Sequence, residues 1–459
     1  MRRKRKSVLI DRADEIRELL PCVDRYAFDA IEYDLFLIFN YLIFTWHNLC
    51  NLNFKALVEH MITDMKKLLI GALILQISQN YIYSQSELEK ALSEGKATLN
   101  ARLRYEHAEV GSLDDAEALT IRTRLGYLSG KYYGLKTFLE LEDTTAINDD
   151  TDYSVPAPAG QKVPGKSIIA DPEGTEINRF WFGYDIEDHT SMKIGRQRII
   201  LDNARFIGNV GWRQNEQTYD AFSINSSYIS DTDINYAYLS KRNTIFYTGI
   251  ETDSHLFNVS YSGIKNNKIT GYAYILDFDK NKNNSSDTFG ISSVGSYNLD
   301  DYTLGYRLEY ANQQEGGSSE LDYDADYFHA NLSGGFSGFT SSIGYELLGS
   351  DNGSTAFKTP LATLHAFNGF ADVFLNTPNT GLEDIYLTLG YKIYNTPIKL
   401  FYHDYSSDQG GEDFGNEFDL VVSHKFNNST SILAKFASFN SDSNKPDVDR
   451  FWMQLDYKF

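Results

Sequence analysis

From residue 96 onward, apolar and polar side chains alternate with period two. Ala97, Leu99, Ala101, Leu103 and Tyr105 are separated by Thr98, Asn100, Arg102, Arg104 and Glu106. The rhythm returns at Leu119–Tyr127, Tyr302–Tyr310 and Ile385–Ile393. It returns again in the closing Phe451, Met453, Leu455, Tyr457 and Phe459. Alternation of this kind puts one set of side chains on each face of a β-strand. Helical periodicity shows only in a short piece at residues 86–95. Short turns are expected at 129–131, 187–190, 298–301, 395–397 and 427–429. Long Asp- and Asn-rich connections are expected at 144–175, 202–216, 279–287, 313–323, 349–383 and 440–449.

Short turns on one side and long loops on the other predict an all-β fold, a transmembrane antiparallel β-barrel with short periplasmic turns and long extracellular loops. Counting segments gives about 18 strands, with both chain ends on the short-turn side; residues 242–253 leave room for one more hairpin. Closure has a physical cause. In hydrocarbon every backbone N–H and C=O needs a partner within the protein, and a sheet meets that need only without an edge. An edge strand of a soluble sandwich is the competing account of the last segment, and the turn asymmetry weighs against it.

Composition fits this architecture. The chain has 459 residues with 32 Tyr, 29 Phe and only 9 Pro, and its mean hydropathy is negative. Many strands with one apolar and one wet face give that balance, whereas helical spans do not. A formal net charge of -21 argues against nucleic acid as a partner. Residues 65–84, MKKLLIGALILQISQNYIYS, have the positive start, apolar run and small-residue end of a signal peptide. Residues 1–64 then read as an over-extended gene start, with a genuine N-terminal extension as the alternative. Residues 85–95 form a short periplasmic segment and 96–459 the barrel. Both cysteines, Cys22 and Cys50, precede Met65, so a disulfide scaffold is not available to the exported chain.

If the apolar set faces lipid, the lumen receives Arg102, Arg104, Arg122, Arg124, Arg179 and Arg307, together with Lys136, Glu140, Glu142, Asp185, Lys241, Glu309 and Lys435. In residues 191–201 Met192 and Ile194 point out, and so do Ile199 and Leu201 of the opposite parity. A bulge near Gly195 would reconcile them and turn both Arg196 and Arg198 inward. Guanidinium groups grip carboxylates in a bidentate way, so a basic constriction attracting anions is expected. The alternative is a neutral ladder in which each arginine meets a neighbouring acid. The loop at 351–383 is too apolar to stand in water and is expected to pack over or into the mouth.

Three stretches carry a resemblance. GRQRIILDNARFIGNVGWRQNEQTYDA (195–221), GYELLGSDNGSTAFKTPLATLHAFNGFADVFLNTPNTGLEDIYLTLGYK (344–392) and EGKATLNARLRYE (94–106) resemble the alginate export family of outer-membrane β-barrel porins. The resemblance implies an 18-stranded barrel through which a polyuronate passes. It makes Arg196, Arg198, Arg205 and Arg213 candidates for the constriction, with Trp212, Gly208 and Gly211 shaping an inward-folded loop. For Arg205 and Arg213 an ordinary surface loop is the plain alternative.

Other chemistry is set aside. Asp277, Asp279 and Asn281 begin like a calcium loop, but Lys282 stands at the turn glycine and Thr288 at the closing acid. The histidines lack metal-ligand spacing. No Ser/His/Asp grouping follows from position, and Glu140 with Glu142 reads as lumen lining rather than a glycosidase pair. The expectation is a non-enzymatic channel, without cofactor or metal, in the bacterial outer membrane. It would pass an anionic polysaccharide or uronate oligomers and meet lipid, with periplasmic export or uptake partners. The alternatives are an anion-preferring nutrient porin for small carboxylates or oligouronates, and a structural barrel plugged by loops 202–216 and 349–383.

Overall fold

The computed structural model describes residues 84–149, 151–156 and 163–459. The signal-peptide and gene-start readings therefore lie outside the described residues. Helix α1 (Ser84–Ser93) precedes twenty strands. They are β1 (Lys96–Val110), β2 (Ala116–Leu128), β3 (Leu135–Ala146), β4 (Gly174–Ile186), β5 (Thr190–Gln197), β6 (Thr218–Ser226), β7 (Thr232–Asn243), β8 (Gly249–Tyr261), β9 (Asn267–Leu276) and β10 (Ser286–Leu299). Then follow β11 (Tyr302–Glu315), β12 (Asp324–Phe336), β13 (Phe339–Leu348), β14 (Ser350–Asp351), β15 (Thr355–Ala356), β16 (Leu382–Ile393), β17 (Thr396–Ser406), β18 (Asp413–Lys425), β19 (Thr430–Ser441) and β20 (Val448–Lys458).

All but β14 and β15 belong to one 18-stranded antiparallel sheet. β20 pairs with β1, setting Met453 opposite Tyr105 and Leu455 opposite Leu103, so the sheet has no edge. The aromatic C-terminus takes part in this closure: Leu99 and Phe459 exchange both backbone hydrogen bonds. Among the described residues no helix is long and apolar enough to cross a membrane; the strands do it. Region 242–253 holds the end of β7, a five-residue connection and the start of β8, with no additional strand.

Burial follows the alternation. Leu125, Leu141, Leu308, Ile343, Leu387 and Met453 stay exposed on the outer face, as side chains bathed in lipid would be. Their neighbours Arg104, Arg122, Glu142, Glu309, Glu346 and Glu417 are buried within. At the short-turn end α1 is fastened by Gly130 N–H donating to Ala91 O at 2.7 Å.

Bulges alter the register at three places, none of them Gly195: one skips Phe414 in β18, where Tyr405 faces Gly415 but Ser406 faces Asp413, and two lie earlier in the chain. One is at Asn178 in β4, where Arg179 faces Glu140 but Ile177 faces Leu141. The other is at Ser240 in β7, where Lys241 faces Asp220 but Leu239 faces Ala221. The second sends Lys241 to the outer phase, where it pairs with Glu251 at 2.8 Å, and turns Arg242 inward instead. Gly195 does hold a left-handed φ of 118°, and a Cβ there would lie 2.4 Å from Phe180 O. Even so, Ile194, Gly195 and Arg196 pair in step with Phe182, Trp181 and Phe180. Arg196 thus keeps the phase of Met192 and Ile194 and is not brought inward by a bulge. The conflict that suggested one dissolves because β5 ends at Gln197; Ile199 belongs to a loop and is buried inside the barrel.

Met453 lies midway along the outer face of β20. Met453→Arg should lower barrel stability by about 2–4 kcal/mol if that position sits near the bilayer midplane. Urea titration of the folded barrel in lipid vesicles reads this, and an unchanged midpoint would contradict the outward assignment.

Candidate functional site

Two loops fold into the lumen and meet there. Residues 198–217 join β5 to β6, and residues 349–381 join β13 to β16 while carrying β14 and β15. Their apolar side chains make one buried cluster with the wall: Ile199, Phe206 and Ile207 from the first loop, Phe357, Leu361 and Phe374 from the second, and Tyr219, Tyr272, Tyr274, Tyr327 and Trp452 from strands. The Phe206 ring centre lies 5.1 Å from that of Tyr327 and 5.8 Å from that of Phe357. Gly208 lets the loops touch: its N–H donates to Leu361 O at 2.8 Å, and a Cβ would lie 2.2 Å from Thr363 Oγ1. A fully buried Phe or Leu contributes about 1.5–3 kcal/mol, so these loops are part of the folded core and not free lids.

The wall arginines hold the first loop by its backbone. Arg102 donates to the carbonyls of Gly211, Trp212 and Arg213 at 3.2, 3.0 and 3.3 Å. Arg104 donates to Trp212 O and lies over the Trp212 ring at 4.2 Å. Arg122 and Arg124 both donate to Gln214 O, at 3.4 and 3.2 Å. β1 and β2 present these four side chains on alternate positions of one face, paired Arg102 to Arg122. Strand periodicity thus makes a row of donors that matches a run of loop carbonyls.

Most charges in this buried interior are paired, because unpaired burial is expensive. Arg102 meets Asp456 at 3.0 Å and Arg104 meets Asp171 at 3.3 Å. Arg124 meets Glu142 and Glu216, and Arg179 meets Glu140. Arg205, expected on the lumen or the surface, is buried against Glu346 at 2.7 Å. Arg213 is buried between Glu106 at 3.0 Å and Asp372 at 2.9 Å. Arg307 meets Glu309 at 2.6 Å. Arg196, at the long-loop end of β5, meets Asp220 and Glu176 at 2.9 and 3.4 Å. Arg198 meets Glu216 at 2.5 Å and keeps 31% of its side-chain surface exposed. Of the ten arginines singled out, Arg122 alone has no carboxylate within ion-pair distance among the described residues. The structure therefore places a nearly neutral lattice where a basic wall was expected.

Sequence reasoning missed the acids that organise this lattice. Glu216 is fully buried and accepts from Arg198, from Asn178 at 2.8 Å and from Asn209 at 2.6 Å. Three nearby cations, Arg124 first, hold its carboxyl well below the usual range despite burial. Asp171 accepts the Gln214 N–H at 2.8 Å. His365 stacks on Trp212 with ring centres 4.4 Å apart. Its Nδ1–H donates to Asp372 at 2.8 Å, and its Nε2 accepts from the Lys435 ammonium at 3.0 Å. An acceptor nitrogen facing an ammonium requires a neutral ring, and burial pushes the His365 pKa down to about 3. The calcium-like stretch set aside above has a structural use: Asp277 Oδ1 accepts the Ser318 N–H at 2.9 Å and ties two outer loops together. His107, Glu109 and Asp115 gather at the outer rim, largely exposed.

Open space lies toward the short turns. A cavity of about 520 Å3 is bounded by Lys131, Asp185, Glu187–His189, Asp202, Asn258 and Lys268. It shares Ile200, Leu201, Asn225 and Asn235 with a neck of about 180 Å3 that reaches Lys193, Gln197 and Arg198.

Glu216→Ala would strand Arg198 and leave Arg124 with Glu142 alone, and should cost about 3–5 kcal/mol, as loss of one partner from a buried pair does. Urea titration checks it, with Glu109→Ala at the rim expected to leave the midpoint unchanged. A pH dependence follows from His365. Its folded-state pKa of about 3 lies below the ordinary value of 6.5, so in that window the unfolded chain binds a proton that the native barrel refuses. Stability should be complete above pH 6.5 and decline as pH falls toward 3; His365→Gln should flatten the decline. An equally steep loss in the variant would assign the acid sensitivity elsewhere.

No curated protein sequence matches the chain. Its backbone superposes on solved outer-membrane barrels. Acinetobacter baumannii OccAB2 shares 16% identity at a TM-score of 0.65, covering 81% of this chain and 99% of that one. Pseudomonas aeruginosa OccK9 (OpdG) shares 13% at 0.64, covering 80% and 99%. Pseudomonas aeruginosa OpdK, solved with vanillate, shares 14% at 0.64, also covering 80% and 99%. Similarity at this level speaks for the fold. The sequence profile of the alginate export family matches residues 97–348, more than half of the chain. With its sheet closed and its loops inside, the chain belongs to the alginate export family and is an outer-membrane β-barrel channel.

Proposed function

We propose that this channel admits small carboxylates and short uronate oligomers, one molecule at a time. One observation carries the reading: the two inward loops share a buried apolar core with the wall, and beside them lie two adjoining cavities of only about 520 and about 180 Å3. A channel filled in this way selects by size before it selects by charge. Anion preference is supported by the neck, whose lining has Lys193 and Arg198 but no carboxylate. In a low-dielectric wall even a small excess of one sign focuses the field on passing ions.

A second reading, passage of an intact polyuronate chain, is favoured by membership of the alginate export family. It requires loop 198–217 to leave the four arginines that hold it.

Single-channel recording in planar bilayers decides between them. Small conductance steps, a reversal potential shifted toward anions, and block by uronate di- and trisaccharides are expected. Transport of long polyuronate by the unmodified channel would favour the second reading. Absence of conductance would make the protein a plugged structural barrel, and cation selectivity would overturn the proposal.

A further inference from the structure

The neck beside loop 198–217 differs from the rest of the interior in its charge. Most inward cations meet a carboxylate. Arg122, Arg242 and Lys435 do not, but each is spent on another protein group, Gln214 O, Gln217 and His365 in turn, whereas Lys193 has neither a carboxylate within ion-pair distance nor a hydrogen-bond partner among the described residues. Its place is set by β5, whose inner phase carries Ser191, Lys193, Gly195 and Gln197, opposite Ser223 and Gly183. Gly183 has no side chain to fill the wall there; a Cβ would lie 2.9 Å from Trp181. The Trp181 ring occupies that space, and the Lys193 ammonium lies 4.9 Å from its centre. A cation over an aromatic face is held in place without being neutralised.

The remaining lining is suited to a ligand. Arg198 spends Nε and Nη2 on Glu216, which leaves Nη1 without a hydrogen-bond partner among the described residues. Gln197 is fixed by Ser223 at 2.7 Å and by Ala221 O at 2.9 Å. Asn225 donates to Asn235, so one amide oxygen and one amide NH2 stay available. Ile199, Leu201, Ala237 and Leu256 complete an apolar side.

We infer that Lys193 and Arg198 form a carboxylate-binding subsite at the neck, taking a single hydroxylated ring acid such as one uronate residue. The carboxylate accepts from the ammonium and from Arg198 Nη1, the hydroxyls meet the Asn225 and Asn235 amides, and the ring's apolar face lies against Ile199 and Leu256. The subsite is reached from the short-turn cavity, with which it shares Ile200, Leu201, Asn225 and Asn235. Lys193 rather than the arginine row then sets preference among anions, because the row is already committed to loop carbonyls and buried acids.

This inference rests on the proposed anion channel, and the test separates the two. The full chain is recorded in planar bilayers with sodium glucuronate added on the short-turn side and glucose as the neutral control. Folding of each variant is read from heat-modified gel mobility. Glucuronate should block the wild type and glucose should not. Lys193→Gln should raise the half-blocking concentration about tenfold or more, the range set by losing one charge-assisted contact. Lys193→Arg should restore most of the block. Lys399→Gln, on the wall opposite β5 in the strand order, should leave it at the wild-type value. Wild-type block that persists unchanged in folded Lys193→Gln would overturn the subsite while leaving the channel reading intact. Equal block by glucose would overturn the carboxylate assignment. A wild type that conducts but is indifferent to every anion would bring down both.

Discussion

Four consecutive loop carbonyls, from Gly211 to Gln214, are gripped by four arginines that β1 and β2 present on one face. The interior depends on this contact. A guanidinium is planar, permanently charged and rich in donors, so it can satisfy carbonyls that a strand ladder would otherwise pair. It thereby lets irregular backbone persist at the depth of the bilayer, which is tolerated only inside protein or along a wet cavity. Once 211–214 is fixed, Trp212 is placed for Arg104 and His365. Arg213 reaches Glu106 and Asp372, and the second loop is drawn into the same core. The barrel supplies a rigid frame, and the arginine row turns it from a tube into a constricted channel.

The arginines hold structure at the expense of attracting solutes. A buried ion pair contributes little net stability, but removal of one partner is severe, so a lattice that includes Glu216, Asp171 and Glu106 favours one arrangement of the loops strongly over others. The charge left over for passing solutes is small and local. In the proposed reading, selectivity follows from a few uncommitted groups at a narrow place, while the many cations of the wall act as scaffold.

The barrel was legible in the sequence because its cause is local. A period-two pattern, short turns against long loops, and an aromatic end are set by each strand's two environments, and closure follows from hydrogen-bond satisfaction. The inward phase of Arg102, Arg104, Arg122 and Arg124 followed in the same way. What those arginines hold did not, since Arg102 and Gly211 are more than a hundred residues apart and no periodicity links a strand to a loop carbonyl. Two of the bulges were equally hidden: Asn178 and Ser240 carry no special backbone signal. Gly195 carries one and stays in register, whereas Gly415, with a φ of 110°, does adjoin the bulge at Phe414. Ile199 was read as lipid-facing because alternation was carried past the end of β5. Apolar residues 357–374 did announce their inward packing, for water is a poor solvent for that many exposed rings.

Amide hydrogen exchange on the folded barrel in lipid nanodiscs tests the arginine latch most directly. Within 211–217, the Arg213, Gln214 and Gln217 N–H groups donate to Val210 O, Asp171 and Asn209 O, and the carbonyls of 211–214 are bound by the wall. This segment should exchange as slowly as the neighbouring ends of β5 and β6, and should quicken in Arg102→Ala. Exchange in the wild type as fast as at the exposed turn 427–429 would show that the loop is not held, and the account of the constriction would fail.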